Sequence, residues 1–142
     1  MDIVVQFFEI ISGVSAAVAI IISITLYRHG LKKERKMDTL KSLSEIRKNY
    51  FNTNTLNHNE KLRYLNELEY FATGVNEKIY DIKIVKKMSG NRLIKQYDNW
   101  AGDFIKFRRK SHGNNKTYYE YEKMINRLKR NVKHKSYLTI YY

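Results

Sequence analysis

The chain has 142 residues, no cysteine, no proline and a formal net charge of +13. The lack of cysteine excludes disulfides and thiolate metal sites, and roughly 100 residues beyond a first apolar stretch suit one small domain rather than two. The charge exceeds what solubility requires, which points to a polyanionic partner, either nucleic acid or anionic lipid.

Residues 3–27 are predominantly apolar, with Gln6 and Glu9 as the strongly polar exceptions. At about 1.5 Å per residue, a helix of that length crosses the ~30 Å hydrocarbon layer of a bilayer. A buried core helix is the alternative, but a domain this small has little with which to surround so long an apolar rod. A cleaved signal peptide fits poorly, because Asp2 and no Lys or Arg precedes the apolar run. Arg28, Lys32, Lys33, Arg35 and Lys36 follow it directly. The positive-inside rule then predicts a single pass through the cytoplasmic (inner) membrane, with the N-terminus outside and the remainder cytoplasmic. The expected class is all-α: a transmembrane helix at 1–28 and a small, basic, helical cytosolic domain at 29–142.

Within the apolar run, Gln6, Glu9, Ser12 or Gly13, Ala16, Ala19 and Ser23 recur at three- and four-residue steps and share a helix face. Ser12 with Ala16, Gly13 with Ala17, Ser15 with Ala19 and Ala19 with Ser23 are small-residue pairs of the kind that let helix backbones approach. The stripe reads as a self-association face that lines a polar path once several copies assemble. Glu9 is the ionisable residue of the span, and it reads either as part of a pore or helix interface or as a residue near the outer headgroups.

The basic stretch after the span continues as helix, with Leu40, Leu43, Ile46 or Arg47, and Tyr50 at helical spacing. Residues 52–59, rich in Asn and Thr, read as a loop. A helix follows from about residue 59, with Leu62, Leu65, Leu68 or Glu69, and Ala72 facing inward, Tyr64 and Phe71 beside them, and Gly74 as its expected end. A short helix over 81–88 breaks at Ser89 and Gly90, another covers 91–110, and 111–115 is a turn. The last helix covers 116–132 with Tyr121, Ile125 and Leu128 inward, and the aromatic tail 136–142 packs as a strand or docks on a neighbour.

No catalytic or metal constellation emerges. His29, His58, His112 and His134 are scattered, and none has the i, i+4 partner of a zinc helix. Gly102 and Gly113 stand alone rather than in a phosphate loop. Glu67 with Glu69, and Asp98 with Asp103, read as solvated or ion-paired helix faces. The chain is expected not to be an enzyme, with no cofactor and no metal.

Basic residues concentrate towards the C-terminal end. Residues 104–142 carry eleven Lys/Arg against Glu120 and Glu122, a net +9. Lys106, Arg108, Arg109, Lys110 and His112 form one cluster; Lys123, Arg127, Lys129, Arg130, Lys133, His134 and Lys135 form another. Lys and Arg neutralise phosphates, and the nearby Tyr97, Trp100, Tyr118, Tyr119 and Tyr121 offer rings on which unpaired bases stack, at about 1–3 kcal/mol each. The pattern suits a single-stranded nucleic acid or short oligonucleotide better than duplex DNA, with Lys106, Arg108, Arg109, Lys110, Arg127, Arg130, Lys133 and Tyr118 as the expected ligand site. Two alternatives compete. Tyr97 and Trp100 lie at helical spacing and are more often core, and basic side chains near a bilayer face anionic lipid at ~1 kcal/mol each.

The layout of one N-terminal span, a basic stop and the helix Tyr64-Leu65-Asn66-Glu67-Leu68-Glu69-Tyr70-Phe71-Ala72-Thr73-Gly74-Val75 resembles short bacterial single-pass membrane proteins associated with phage defence, in particular the transmembrane effectors of the Hailong system. The resemblance covers the overall arrangement, and that helix is its one local motif. It implies a homo-oligomeric channel, with four copies as one count considered. The channel is held closed by a deoxyadenylate oligomer that a nearby-encoded nucleotidyltransferase makes. Loss of the oligomer during infection opens it, depolarises the cell and arrests growth. No site residue is carried over, because the helix specifies none. The alternative function is a membrane-anchored adaptor or phage-exclusion protein without a pore, whose basic face binds lipid or protein.

Overall fold

The computed structural model describes the backbone of residues 2–50, 53 and 55–136, and the side chains of residues 14–50, 53 and 55–130. Among these residues the fold is all-helical: α1 (Asp2–Asn49), α2 (His58–Asn76), α3 (Ile82–Gln96), a π-helical turn (Tyr97–Ala101), α4 (Gly102–His112) and α5 (Tyr119–Ser136). The chain divides into two units, Met1–Arg35 and Lys36–Tyr142.

The first unit is the apolar part of α1. Its most apolar 18-residue stretch has a mean hydropathy of 1.5 and no buried side chain, so the helix is long and apolar enough to cross a membrane. Val18, Ile20, Ile21, Ile22, Ile24 and Leu26 are all exposed. The Ser23 hydroxyl donates to the Ala19 carbonyl at 2.9 Å, and Thr25 donates to Ile21 at 2.8 Å. Both polar side chains are thus satisfied within their own helix, as a hydrocarbon surrounding requires.

The second unit is the helical domain. It begins with the last turns of α1, where Thr39 and Leu43 are buried and Ile46 and Tyr50 pack against the core. The Thr39 hydroxyl accepts the Asp81 N–H at 2.8 Å, and Asp81 caps α3 by accepting the Lys83 N–H. A capping box starts α2: Asn57 accepts the Glu60 N–H at 2.9 Å while Glu60 accepts the Asn57 N–H at 2.8 Å. Leu65, Leu68 and Ala72 face inward as their spacing predicts, joined by Tyr64, Phe71 and Val75, whereas Leu62 is half-buried.

Two expected breaks are absent. Gly74 does not end α2, which runs to Asn76. Its role is steric, because a Cβ there would lie 2.6 Å from the Tyr80 ring. Tyr80 returns across Gly74, donating its N–H to the Gly74 carbonyl at 3.0 Å. The reversal is made by Lys78, in the left-handed region at φ 63°. Likewise α3 runs through Ser89 and Gly90 without a break. An interior glycine costs roughly 1 kcal/mol, and burial of Val85 and Leu93 on either side offsets it.

The π turn follows directly, and the Gly102 N–H reaches the Tyr97 carbonyl. A Cβ at Gly102 would meet that oxygen at 3.1 Å, closer than an ordinary contact, so glycine there spares the wide turn a small displacement. Gly113, at φ 64°, closes α4. α5 then lays Tyr121, Met124, Ile125 and Leu128, all fully buried, chiefly against α2 and also against α3. Its N-terminus is capped from another helix: Glu69 of α2 accepts the N–H groups of Glu120 at 3.1 Å and Tyr121 at 2.8 Å.

Candidate functional site

The expected ligand site draws its residues from α4, α5 and the turn before α5 that holds Tyr118, and the fold uses several of them internally. Arg109 donates from Nε and Nη2 to the Thr117 carbonyl at 3.0 and 2.7 Å, and its Nη2 lies 2.7 Å from Glu122 Oε2. Each side chain of that pair is only 20% exposed. Glu122 also accepts the Tyr97 hydroxyl at 2.7 Å, so one carboxylate joins α4, the π turn and α5. Burial, reinforced by this hydrogen bond, pushes Tyr97 up to about 12. Arg127 donates to Asn76 Oδ1 at 2.8 Å and to the Val75 carbonyl at 3.5 Å, placing a cation at the C-terminus of α2.

Tyr118 is 6% exposed, and its hydroxyl donates to Asn66 Oδ1 at 3.0 Å. Its ring is therefore core and not a surface on which a base stacks. Burial raises its pKa. Arg108 is half-buried, and its Nε is enclosed with no hydrogen-bond partner among the described residues. Trp100 and Tyr97 sit at the margin of the core, with Lys61 over the indole at 5.3 Å and Lys129 over the phenol at 5.0 Å.

Lys106, Lys110 and Arg130 remain exposed. Lys106 pairs with Asp103 at 3.2 Å in an open position where such a pair contributes little. Arg130 bonds the Asn126 carbonyl of its own helix at 3.4 Å. Lys133 lies outside the residues whose side chains are described, as do Gln6, Glu9, Ser12 and Gly13 of the stripe, while Ala16, Ala19 and Ser23 are exposed. The tail 137–142 is outside the described residues altogether.

Phe107 lies within the helix expected over 91–110, and it is 60% exposed, between Lys106 and Lys110 on the open face of α4. The π turn is the cause. Its extra residue turns α4 relative to α3, so a stripe extrapolated from Leu93 and Ile94 arrives at Phe107 out of phase. The paired acids separate as well. Glu69 caps α5, whereas Glu67 accepts the Tyr50 hydroxyl at 2.8 Å. Asp98 pairs with Lys129 at 2.6 Å and Asp103 with Lys106. Among the described residues no three His, Asp or Glu converge as a metal set.

A concave feature lies in the same unit. The end of α1, the middle of α2 and Tyr80 enclose an open cleft of about 300 Å³, lined by Glu45, Ile46, Glu67, Tyr70, Phe71 and Tyr80 among others. It combines carboxylates with aromatic rings, and spacing in the sequence did not single it out.

A family model described as a domain of unknown function, DUF4760, matches residues 2–128. The chain belongs to this family. The DUF4760 match takes in the apolar part of α1 together with the helical domain. No curated protein and no solved structure matches this DUF4760 chain.

Proposed function

We propose that this DUF4760 protein is a single-pass effector of the bacterial cytoplasmic membrane, with its helical domain in the cytoplasm. The observation that carries the reading is the run of exposed aliphatic side chains on α1 followed at once by Arg28, Lys32, Lys33 and Lys36. Exposed apolar surface of that length requires a nonaqueous surrounding, and the flanking cations set the orientation. Copies associate through the face carrying Ala16, Ala19 and Ser23, since one helix cannot enclose a polar path. The assembly conducts ions when active, depolarising the cell and arresting growth in defence against phage. A bound single-stranded DNA oligomer gates it, contacted by the exposed Lys106, Lys110 and Arg130. Gating is linkage: the ligand shifts the assembly only by the difference in its affinity for the closed and open forms.

A second reading, a membrane-anchored adaptor without a pore, is favoured by a specific observation. Arg109, Arg127 and Tyr118 are engaged inside the fold, which leaves a sparser anion surface than eight residues would form.

Membrane potential in cells expressing the chain alone, beside a Glu9→Leu variant, separates the two. Depolarisation altered by the Glu9 change supports the conducting oligomer. A normal potential with the protein confirmed in the membrane, and no co-purifying oligonucleotide, supports the adaptor.

A further inference from the structure

The cleft between the end of α1 and α2 reverses the prevailing charge of the molecule. In a chain of net charge +13 it presents Glu45 and Glu67. Glu67 is fixed by the Tyr50 hydroxyl, and the Phe71 and Tyr80 rings stack as its floor, 5.0 Å apart and 20° from parallel. Tyr70 stands at the rim, 81% exposed. A cleft with an apolar floor and an anionic, aromatic rim fits a segment that carries cations beside apolar side chains.

The chain contains such a segment. Lys133, His134 and Lys135 are followed by Tyr137, Leu138, Ile140, Tyr141 and Tyr142. The course of α5 indicates whose cleft it fills. α5 runs along α2 in the same direction, with Glu120 and Tyr121 beside Glu69, and Arg127 beside Asn76. From Arg127 to Ser136 the helix advances about 13 Å further, while the cleft at Tyr70 lies roughly 9 Å behind Asn76. Residues 137–142, fully extended, span at most about 20 Å. That falls short of doubling back more than 20 Å and across the width of a helix, so a chain does not reach its own cleft.

We propose that residues 133–142 of one copy seat in the Glu45, Glu67 and Tyr70 cleft of a second copy. The contact is head-to-tail, so it propagates until the rotation between copies closes a ring. It shares with the channel reading only the premise that copies associate; it joins domains and needs no pore.

The test uses the full chain in detergent micelles, where the natural absence of cysteine gives a clean background. Tyr70→Cys and Tyr141→Cys are made in separate preparations, mixed and oxidised. A disulfide between the two different chains is expected, and adding Glu45→Lys to the Tyr70→Cys chain should cut its yield roughly fivefold, the scale of replacing an attraction by like-charge repulsion. Reversing Lys133 and Lys135 to Glu in the partner restores the yield. No disulfide in the mixture overturns the proposal, as does one that forms only when both cysteines are in a single chain. An amine-reactive crosslinker run in parallel separates the failures: oligomers without the disulfide sink this contact alone, and no oligomers at all sink the channel reading with it. Circular dichroism of each variant confirms that the exposed Tyr70 tolerates replacement.

Discussion

Arg109 and Lys106 are three residues apart on one helix, yet they answer to different physics. Arg109 holds the Thr117 carbonyl and Glu122 in a mostly enclosed setting, so Arg109→Ala should destabilise the domain by about 1–3 kcal/mol, the cost of leaving a partly buried carboxylate and carbonyl unpaired. Lys106→Ala with Lys110→Ala should leave thermal unfolding within about 0.5 kcal/mol and lower affinity for a single-stranded DNA probe. Unfolding and filter-binding measurements on the same variants check both. Tyr121 supplies the converse case. Its hydroxyl is fully buried and finds no hydrogen-bond partner among the described residues, so Tyr121→Phe should be neutral or stabilising by up to about 1 kcal/mol. Titration adds a further prediction. Burial pushes both Tyr64 and Tyr97 from 10.0 up to about 12. The folded chain keeps those protons over a range in which the unfolded chain releases them. Their contribution to stability is therefore whole below pH 10 and is lost as pH rises towards 12. Alkaline unfolding followed by circular dichroism should lie in that window and become shallower in Tyr97→Phe.

At the scale of elements, periodicity carried far. The continuation of α1 through Leu43, Ile46 and Tyr50, the inward faces of α2 and α5, and the turn at Gly113 were legible because each is a local pattern that the core then uses. Gly74 and Gly90 misled because the stop signal of a glycine is weak beside the burial of its neighbours. The sequence around Gly74 carries no mark that Tyr80 will fold back over it. The ligand site was the least legible part. A run of Lys and Arg looks the same whether its members face solvent or bond backbone carbonyls, and the partners of Arg127 lie some fifty positions away, at Val75 and Asn76. The cap on α5 is equally remote, and it is testable. Glu69→Ala removes a carboxylate that accepts two N–H groups at a helix N-terminus, and should cost about 1–2 kcal/mol in thermal unfolding, more than an exposed glutamate of the same helix.

For the whole molecule, two surfaces of opposite character share one chain: an apolar helix with every described flank open, and a helical domain whose exposed cations outnumber its acids. Attachment through the first is hydrophobic and insensitive to salt, while attachment through the second is screened within about 10 Å at 0.1 M salt. The protein should therefore stay with membranes through washes in high salt and alkaline carbonate and leave them only in detergent. Release by salt alone would assign the association to the lysines and arginines.

The five-residue π turn at Tyr97–Ala101 has one more consequence. Such a turn is an α-helix with one residue too many, and each residue corresponds to about 100° of rotation. The direction in which Lys106, Phe107 and Lys110 point is thus set by arithmetic along the backbone, independent of any side-chain contact of their own. Deleting Asn99, which is exposed, would leave composition and charge nearly unchanged and let α3 and α4 merge into one regular helix. The open face would swing by a quarter of a turn and Phe107 would be carried towards the core. In this chain, the length of that segment sets which way the basic face looks.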